Sequence, residues 1–174
     1  GVVVFVGVGF AVDELVKVGF IGVNGTGKST FLRILAGLQE ADEGTVTLAN
    51  GARIGYLPQA PDFSEDITVL QQVFRGASTE FAQERAYEAK TLLTQLGVAE
   101  FDKSVRRLSG GQKKRVAIAS ALINSSEILI LDEPTNHIDN ETAAWLEQQL
   151  KAYRGAIVII THDRYFLNRV TNRI

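Results

Sequence analysis

With 174 residues, 45% of them hydrophobic, the chain is long enough to bury one sizeable core, and two domains would each be small. A net charge of −2 gives no bulk signature of nucleic-acid binding, and the absence of cysteine excludes disulfide staples and thiolate metal sites. The longest uncharged apolar stretch, about 12 residues from Gly1, is too short to span a bilayer and lacks a signal-peptide layout, so the sequence reads as that of a cytoplasmic protein without membrane insertion.

Residues 1–12, GVVVFVGVGFAV, suit a strand because valine favours a pleated surface. Residues 18–38 read strand, loop, helix. VGFIG is short and apolar, NGTG breaks it, and KSTFLRILAGL puts Phe31, Ile34, Leu35 and Leu38 on one face, with Gly37 as a cap. Residues 45–57, TVTLANGARIGYL, read as a hairpin about Asn50-Gly51, the pair favoured in a tight type I′ turn. Residues 64–98 read as mostly helical, with Leu92, Leu93 and Leu96 as a buried stripe that Gly97 ends. The helix at 109–123 turns Val116, Ala119, Leu122 and Ile123 inward. EILIL (127–131) and AIVII (156–160) are buried strands, each followed by a helix, ETAAWLEQQLKAY and DRYFLNRV. This alternation predicts an α/β domain with a mainly parallel sheet flanked by helices, and the hairpin adds an antiparallel β portion.

The strongest local signal is GVNGTGKS, residues 22–29, followed by Thr30. It fits the pattern G-x-x-x-x-G-K-[ST] of a phosphate-binding loop, placed as required between a strand and a helix. Gly22, Gly25 and Gly27 are expected to let the backbone wrap closely and aim its N–H groups inward, with Asn24, Thr26, Lys28, Ser29 and Thr30 completing the expected nucleotide-binding residues. Lys28 reaches the β- and γ-phosphates of a nucleotide, and the Ser29 hydroxyl ligates Mg²⁺. Alone, the acidic pair Asp132-Glu133 at the end of ILIL reads as a solvated turn. Beside a phosphate loop it reads otherwise. Asp132 then holds the metal, and Glu133 can take a proton from the water that attacks the γ-phosphate.

Other residues have bland readings of comparable weight. Ser109 and Gln112 form a capping-box pattern at a helix start, while Gly110 and Gly111 expose N–H groups suited to an anion. Lys113, Lys114 and Arg115 are either a solvated face or a patch near phosphate, and charge alone does not separate these. By itself His162 is more often structural than a phosphate contact, and Gln59 follows an ordinary Pro-Gln turn.

In order, GVNGTGKST, Gln59, LSGGQ (108–112), ILILDE, the Asp139 of PTNHID, and His162 resemble the six motifs of the ABC ATPase nucleotide-binding domain, a P-loop NTPase. DEPTNHID and THDRYFL are similar to the ABC-F subfamily, ribosome-associated and without transmembrane segments. The resemblance covers about residues 13–174. It implies binding and hydrolysis of ATP with Mg²⁺. Lys28, Gln59, Glu133 and His162 become catalytic groups, and Ser29, Gln59 and Asp132 metal ligands. It also implies that Ser109, Gly110, Gly111 and Gln112 act in trans on the nucleotide of a second ABC domain, with Asp139 in the D-loop between the two. A ribosome partner, contacted through a full-length tandem protein, follows from the subfamily. The rival readings are the motor subunit of an ABC transporter and a catalytically weak ATP-binding scaffold.

The sequence departs from the family in three places. The segment before the phosphate loop is short, leaving Phe5 and Phe10 as candidates for stacking on adenine. The helical subdomain, at about residues 60–107, is shortened. The chain also stops where the family continues, so residues 1–174 are expected to be a single ABC-type domain from a longer tandem protein.

Overall fold

The computed structural model describes residues 15–21, 27–48, 52–125 and 127–172. Four strands, β1 (Lys17–Phe20), β2 (Ile54–Leu57), β3 (Ile128–Asp132) and β4 (Ala156–Ile160), form one sheet in the order β1-β4-β3-β2. All three pairings are parallel: Phe20 opposes Ile160, Asp132 opposes Ile160 across the next ladder, and Leu57 opposes Leu131. Every residue of β4 is buried, as expected of an unbroken apolar run covered on both faces.

Among the described residues there are six α-helices: α1 (Lys28–Leu35), α2 (Val69–Val73), α3 (Thr79–Gln95), α4 (Gly110–Asn124), α5 (Asn140–Ala152) and α6 (Arg164–Val170), with α2 and α3 packed on α4. Side chains alternate along a strand, so each face has its own core. Ile130, Val158 and Ile160 pack with Leu32 of α1. Leu129, Leu131, Ile157 and Ile159 pack on the other side with residues of α2 to α6. Each fully buried leucine or isoleucine contributes roughly 1.5–3 kcal/mol. β2 lies against α4 because Gly55 has no side chain: a Cβ there would meet Ala121 O at 2.0 Å.

The expected hairpin is corrected. Residues 45–48 form no strand, Val46 and Leu48 are exposed, and the Asn50-Gly51 turn lies outside the described residues. Residues 54–57 instead lie parallel to β3, so the antiparallel portion has no counterpart there. The physical reason is burial: beside β3, Leu57 becomes fully buried, which a solvated local partner cannot match. An isolated antiparallel bridge joins Thr68 to Ser104.

The α1 stripe is also shifted. Leu32 is its fully buried centre, whereas Leu38 is 64% exposed. The helix stops at Leu35, and Gly37 at φ 71° turns the chain so that Leu38 N–H donates to Arg33 O at 2.9 Å. The same capping ends α3: Gly97 has φ 74°, and Val98 N–H donates to Leu93 O at 2.8 Å. The helical region at 64–98 is two helices, α2 and α3, separated by a turn in which Gly76 has φ 82°. The strand expected at 1–12, with Phe5 and Phe10, lies outside the described residues.

Candidate active site

Because the sheet is parallel, all its strands end on one edge, where loops can converge on a ligand. β1 leads there toward the phosphate-loop segment. Gly22, Asn24, Gly25 and Thr26 lie outside the described residues. Gly27 is the N-cap of α1 at φ 80°, a left-handed conformation that glycine adopts without strain, and no side chain caps the helix. Lys28, Ser29 and Thr30 follow as its first turn, partly buried. The first N–H groups of a helix lack partners within it and carry partial positive charge, which suits a phosphate.

β3 brings Asp132 to the same edge. Asp132 alternates with Ile128 and Ile130, which places its side chain on the α1 face of the sheet. It is 1% exposed, and its Oδ1 is buried without a hydrogen-bond partner. Tyr56, on neighbouring β2, senses it: burial first, then the Asp132 charge, pushes the phenol pKa up to about 12, against the opposing pull of Arg33.

Glu133 is 3% exposed and has φ 49°, left-handed for a residue with a side chain. Such a conformation costs on the order of 1–3 kcal/mol and persists only where neighbours dictate it. Its N–H donates to Ile160 O at 2.7 Å, which ties it to the end of β4. Its Oε1 lies 3.0 Å from Nε2 of His162, the second residue after β4. Its Oε2 is buried and has no partner. Leaving a buried polar atom unpaired costs about 1–3 kcal/mol, more for a charged group. Two neighbouring carboxylates each retain such an atom, so folding has left acceptor capacity for something that arrives later.

The structure separates the three cations that the sequence left together. Lys113 Nζ stands 5.8 Å from the centre of the Phe63 ring. Lys114 is 4% exposed, and its Nζ donates to the Glu133 carbonyl at 3.1 Å. Burial pulls its pKa below the usual lysine value, while the charges of Asp132 and Glu133 oppose that. Arg115 donates to Leu96 O at 3.3 Å and pairs with Asp139. Sequence reasoning missed Tyr56 and did not single out Lys114 from its two neighbours. The available signal for Lys114 was its spacing, i, i+4 and i+7 with Ile118 and Ala121, all three of which are buried.

Ser109 and Gln112 form the expected capping box at the start of α4: Gln112 N–H donates to Ser109 Oγ at 3.2 Å, and Ser109 N–H to Gln112 Oε1 at 3.0 Å. A Cβ on Gly110 would meet nothing within 4 Å, so this glycine faces open space. Asp139 caps α5, accepting from Thr142 N–H at 2.8 Å and Thr142 Oγ1 at 2.9 Å. These bonds, the Thr142 N–H first and then Arg115, hold its carboxyl well below the usual carboxylate range. Gln59 is exposed, two residues past the end of β2 on the common edge. The structure therefore joins Glu133 and His162 directly, with Asp132 beside Glu133 in the chain. It leaves Gln59 nearby and ties Ser109 and Asp139 into helix caps.

Among the described residues no group of three or more His, Cys, Asp and Glu could hold a metal alone. The unpartnered Asp132 oxygen fits magnesium nonetheless, because that ion commonly takes one or two protein ligands and completes its shell with phosphate and water oxygens. No described helix is long and apolar enough to cross a membrane.

A family model described as ABC transporter matches residues 5–136. The chain is 43% identical to the Bacillus subtilis protein named Uncharacterized ABC transporter ATP-binding protein YfmR, covering 96% of this chain and 32% of that one. It is 41% identical to ATP-binding protein Uup of Caulobacter vibrioides, covering 97% and 27%, and 35% identical to the Energy-dependent translational throttle protein EttA of Escherichia coli K12, covering 91% and 35%. The chain thus spans about a third of the length of these relatives. Among solved structures it is similar to an ATP-binding subunit of an ABC transporter, with TM-score 0.77, 25% identity, and coverage of 94% and 75%. It is also similar to the archaeal ribosome recycling factor aABCE1 in complex with the stalk protein aP1, with TM-score 0.74, 28% identity, and coverage of 92% and 31%.

Proposed function

The chain belongs to the ABC ATPase family and resembles its ABC-F members, and from that premise we propose that it hydrolyses ATP to drive domain closure in a cytoplasmic, translation-associated protein acting on the ribosome. The observation that carries the catalytic part is the pair of buried, unpartnered oxygens on Asp132 and Glu133 at the sheet edge that also receives α1. Glu133 Oε2 is the acceptor for a proton of the attacking water, and His162 steadies the other oxygen. Lys28 and the backbone of residues 22–30 hold the phosphates. Ser29, Asp132 and Gln59 are the ligands for magnesium, which draws charge from the phosphate oxygens when bound.

Ser109, Gly110, Gly111 and Gln112 serve the nucleotide of a second ABC domain, in the same chain or a second copy, and Asp139 lies between the two sites. The open space at Gly110 supports this, because that helix start is already capped by its own residues and still presents a bare backbone face. Residues 1–174 are then one domain of a tandem protein. The alignment to YfmR runs over 204 positions, more than the chain's 174 residues, so that relative has segments this chain lacks; the Uup alignment, over 170, shows no such excess.

The ribosomal role draws on the names of the translational throttle and recycling-factor relatives. The likeness to a transporter subunit favours a second reading, a motor docked on a membrane partner. Full-length protein carrying Glu133→Gln, with its counterpart in any second domain, tests both. Sucrose-gradient sedimentation of lysate with ATP is expected to move it with ribosomes, and without ATP to release it. Recovery with membranes selects the transporter reading, and a position at the gradient top removes the ribosomal one.

A further inference from the structure

Resting on the ATPase reading above, we propose that Lys114 is a positioning residue for hydrolysis: its ammonium holds the Glu133 carbonyl and thereby couples the start of α4 to the proton acceptor. The left-handed backbone at Glu133 needs external support. On the N–H side that support is Ile160 O. On the carbonyl side it is Lys114 Nζ at 3.1 Å, together with a longer bond, 3.3 Å, from Asn136 N–H in the next turn. A lysine is rarely buried to 4% unless it is engaged, and this one spends a hydrogen bond on a backbone oxygen with two carboxylates close by.

Lys114 acts through Glu133 and not on a substrate. Its second consequence comes from its place in α4. Gly111 stands three residues before it on the same helix, so a shift of the helix start is carried to the backbone of Lys114, whose Nζ is held at the Glu133 carbonyl. A nucleotide that pulls on the backbone at residues 109–111 shifts Lys114 Nζ, and with it the Glu133 carbonyl. Each domain's proton acceptor is thereby set by whether its own helix start has engaged the other domain's nucleotide.

The test uses the full-length protein, steady-state ATP hydrolysis, and binding of a fluorescent ATP analogue. Lys114→Met keeps the aliphatic stem and removes the donor. It is expected to lower kcat by about 10²-fold, the scale of a small misplacement of a reacting group, with KM and analogue Kd within about two-fold. Lys114→Arg, which restores a donor, is expected to recover most of kcat. In a Glu133→Gln background, Lys114→Met should cause no further loss, because the two residues act as one unit. An unchanged kcat overturns the proposal, and so does a loss confined to KM or a fully additive loss in that background. If Lys114→Met does not fold, Lys114→Leu carries the test without a donor, and wild-type kcat in that variant overturns the proposal. A wild-type protein that binds ATP without hydrolysing it overturns the ATPase reading and this inference together. Hydrolysis lost in Glu133→Gln yet intact in Lys114→Met overturns this inference alone.

Discussion

Glu133 and Asp139 are six residues apart in one segment, and their carboxylates have opposite fates. Asp139 is half-exposed and fully occupied: two bonds from Thr142 and the ion pair with Arg115 account for its oxygens. Glu133 is buried and underused, with one oxygen paired with His162 and the other buried without a hydrogen-bond partner. Exposure would ordinarily mark the available group and burial the structural one. Here hydrogen-bond accounting reverses that: the exposed carboxylate holds the fold, and the buried one keeps capacity for chemistry.

The sharpest way to break this contrast is Glu133→Gln. Losing a general base lowers rate by about 10² to 10⁴-fold, so hydrolysis is expected to fall by that much while analogue binding persists. Thermal melting is expected to show no loss of stability, because the substitution removes a buried charge whose Oε2 had no partner. A wild-type rate would place Glu133 with Asp139 as a structural group. His162→Ala removes the contact to Oε1 and is expected to cost about 10-fold in kcat, below the effect of losing the base itself. An equal or larger loss would give the leading role to the histidine.

Gly110 extends the comparison to the backbone. Alanine there meets no atom within 4 Å and favours the helix, so Gly110→Ala is expected to keep or raise Tm. On the proposed arrangement the added methyl would intrude on the second domain's nucleotide, and hydrolysis by the assembled protein is then expected to fall several-fold. Unchanged turnover would show that this face is spare in every sense.

Asp139→Ala should do the reverse, lowering Tm by a few degrees through the lost cap. The pH dependence gives the smallest signal. The folded-state carboxyl of Asp139 titrates below its unfolded value, so its stabilisation is complete above the unfolded pKa, about 3.9. It is lost as pH falls through the folded pKa. The Tm gap between wild type and Asp139→Asn is therefore expected to be constant from pH 5 to 7 and to shrink below about pH 4. A gap independent of pH would mean that the Asp139 carboxyl titrates alike in the folded and unfolded chain, so that its bonds to Thr142 and Arg115 do not favour the charged form.

Both carboxylates were visible in the sequence, Glu133 as the expected proton acceptor and Asp139 as the expected D-loop residue, but the capping role of Asp139 was not read there. The buried strands at 128–132 and 156–160 were legible because their apolar runs leave few alternatives, and the caps at Ser109, Gly37 and Gly97 because cap geometry needs only neighbouring residues. Pattern GKS at 27–29 and the acidic pair pointed to phosphate chemistry through residue type and order alone. Tertiary structure decided what depends on distant partners. It laid residues 54–57 parallel to β3 where a local turn predicted a hairpin, and it put Leu32 rather than Leu38 in the core. It brought His162 to Glu133, and it sank one of three consecutive cations, Lys114, beneath the Glu133 carbonyl. Periodicity and capping are fixed within a few residues of chain. Burial of a charge, a left-handed backbone and a strand's choice of neighbour are fixed by groups far away in sequence, and these determine which carboxylate is left with something to do.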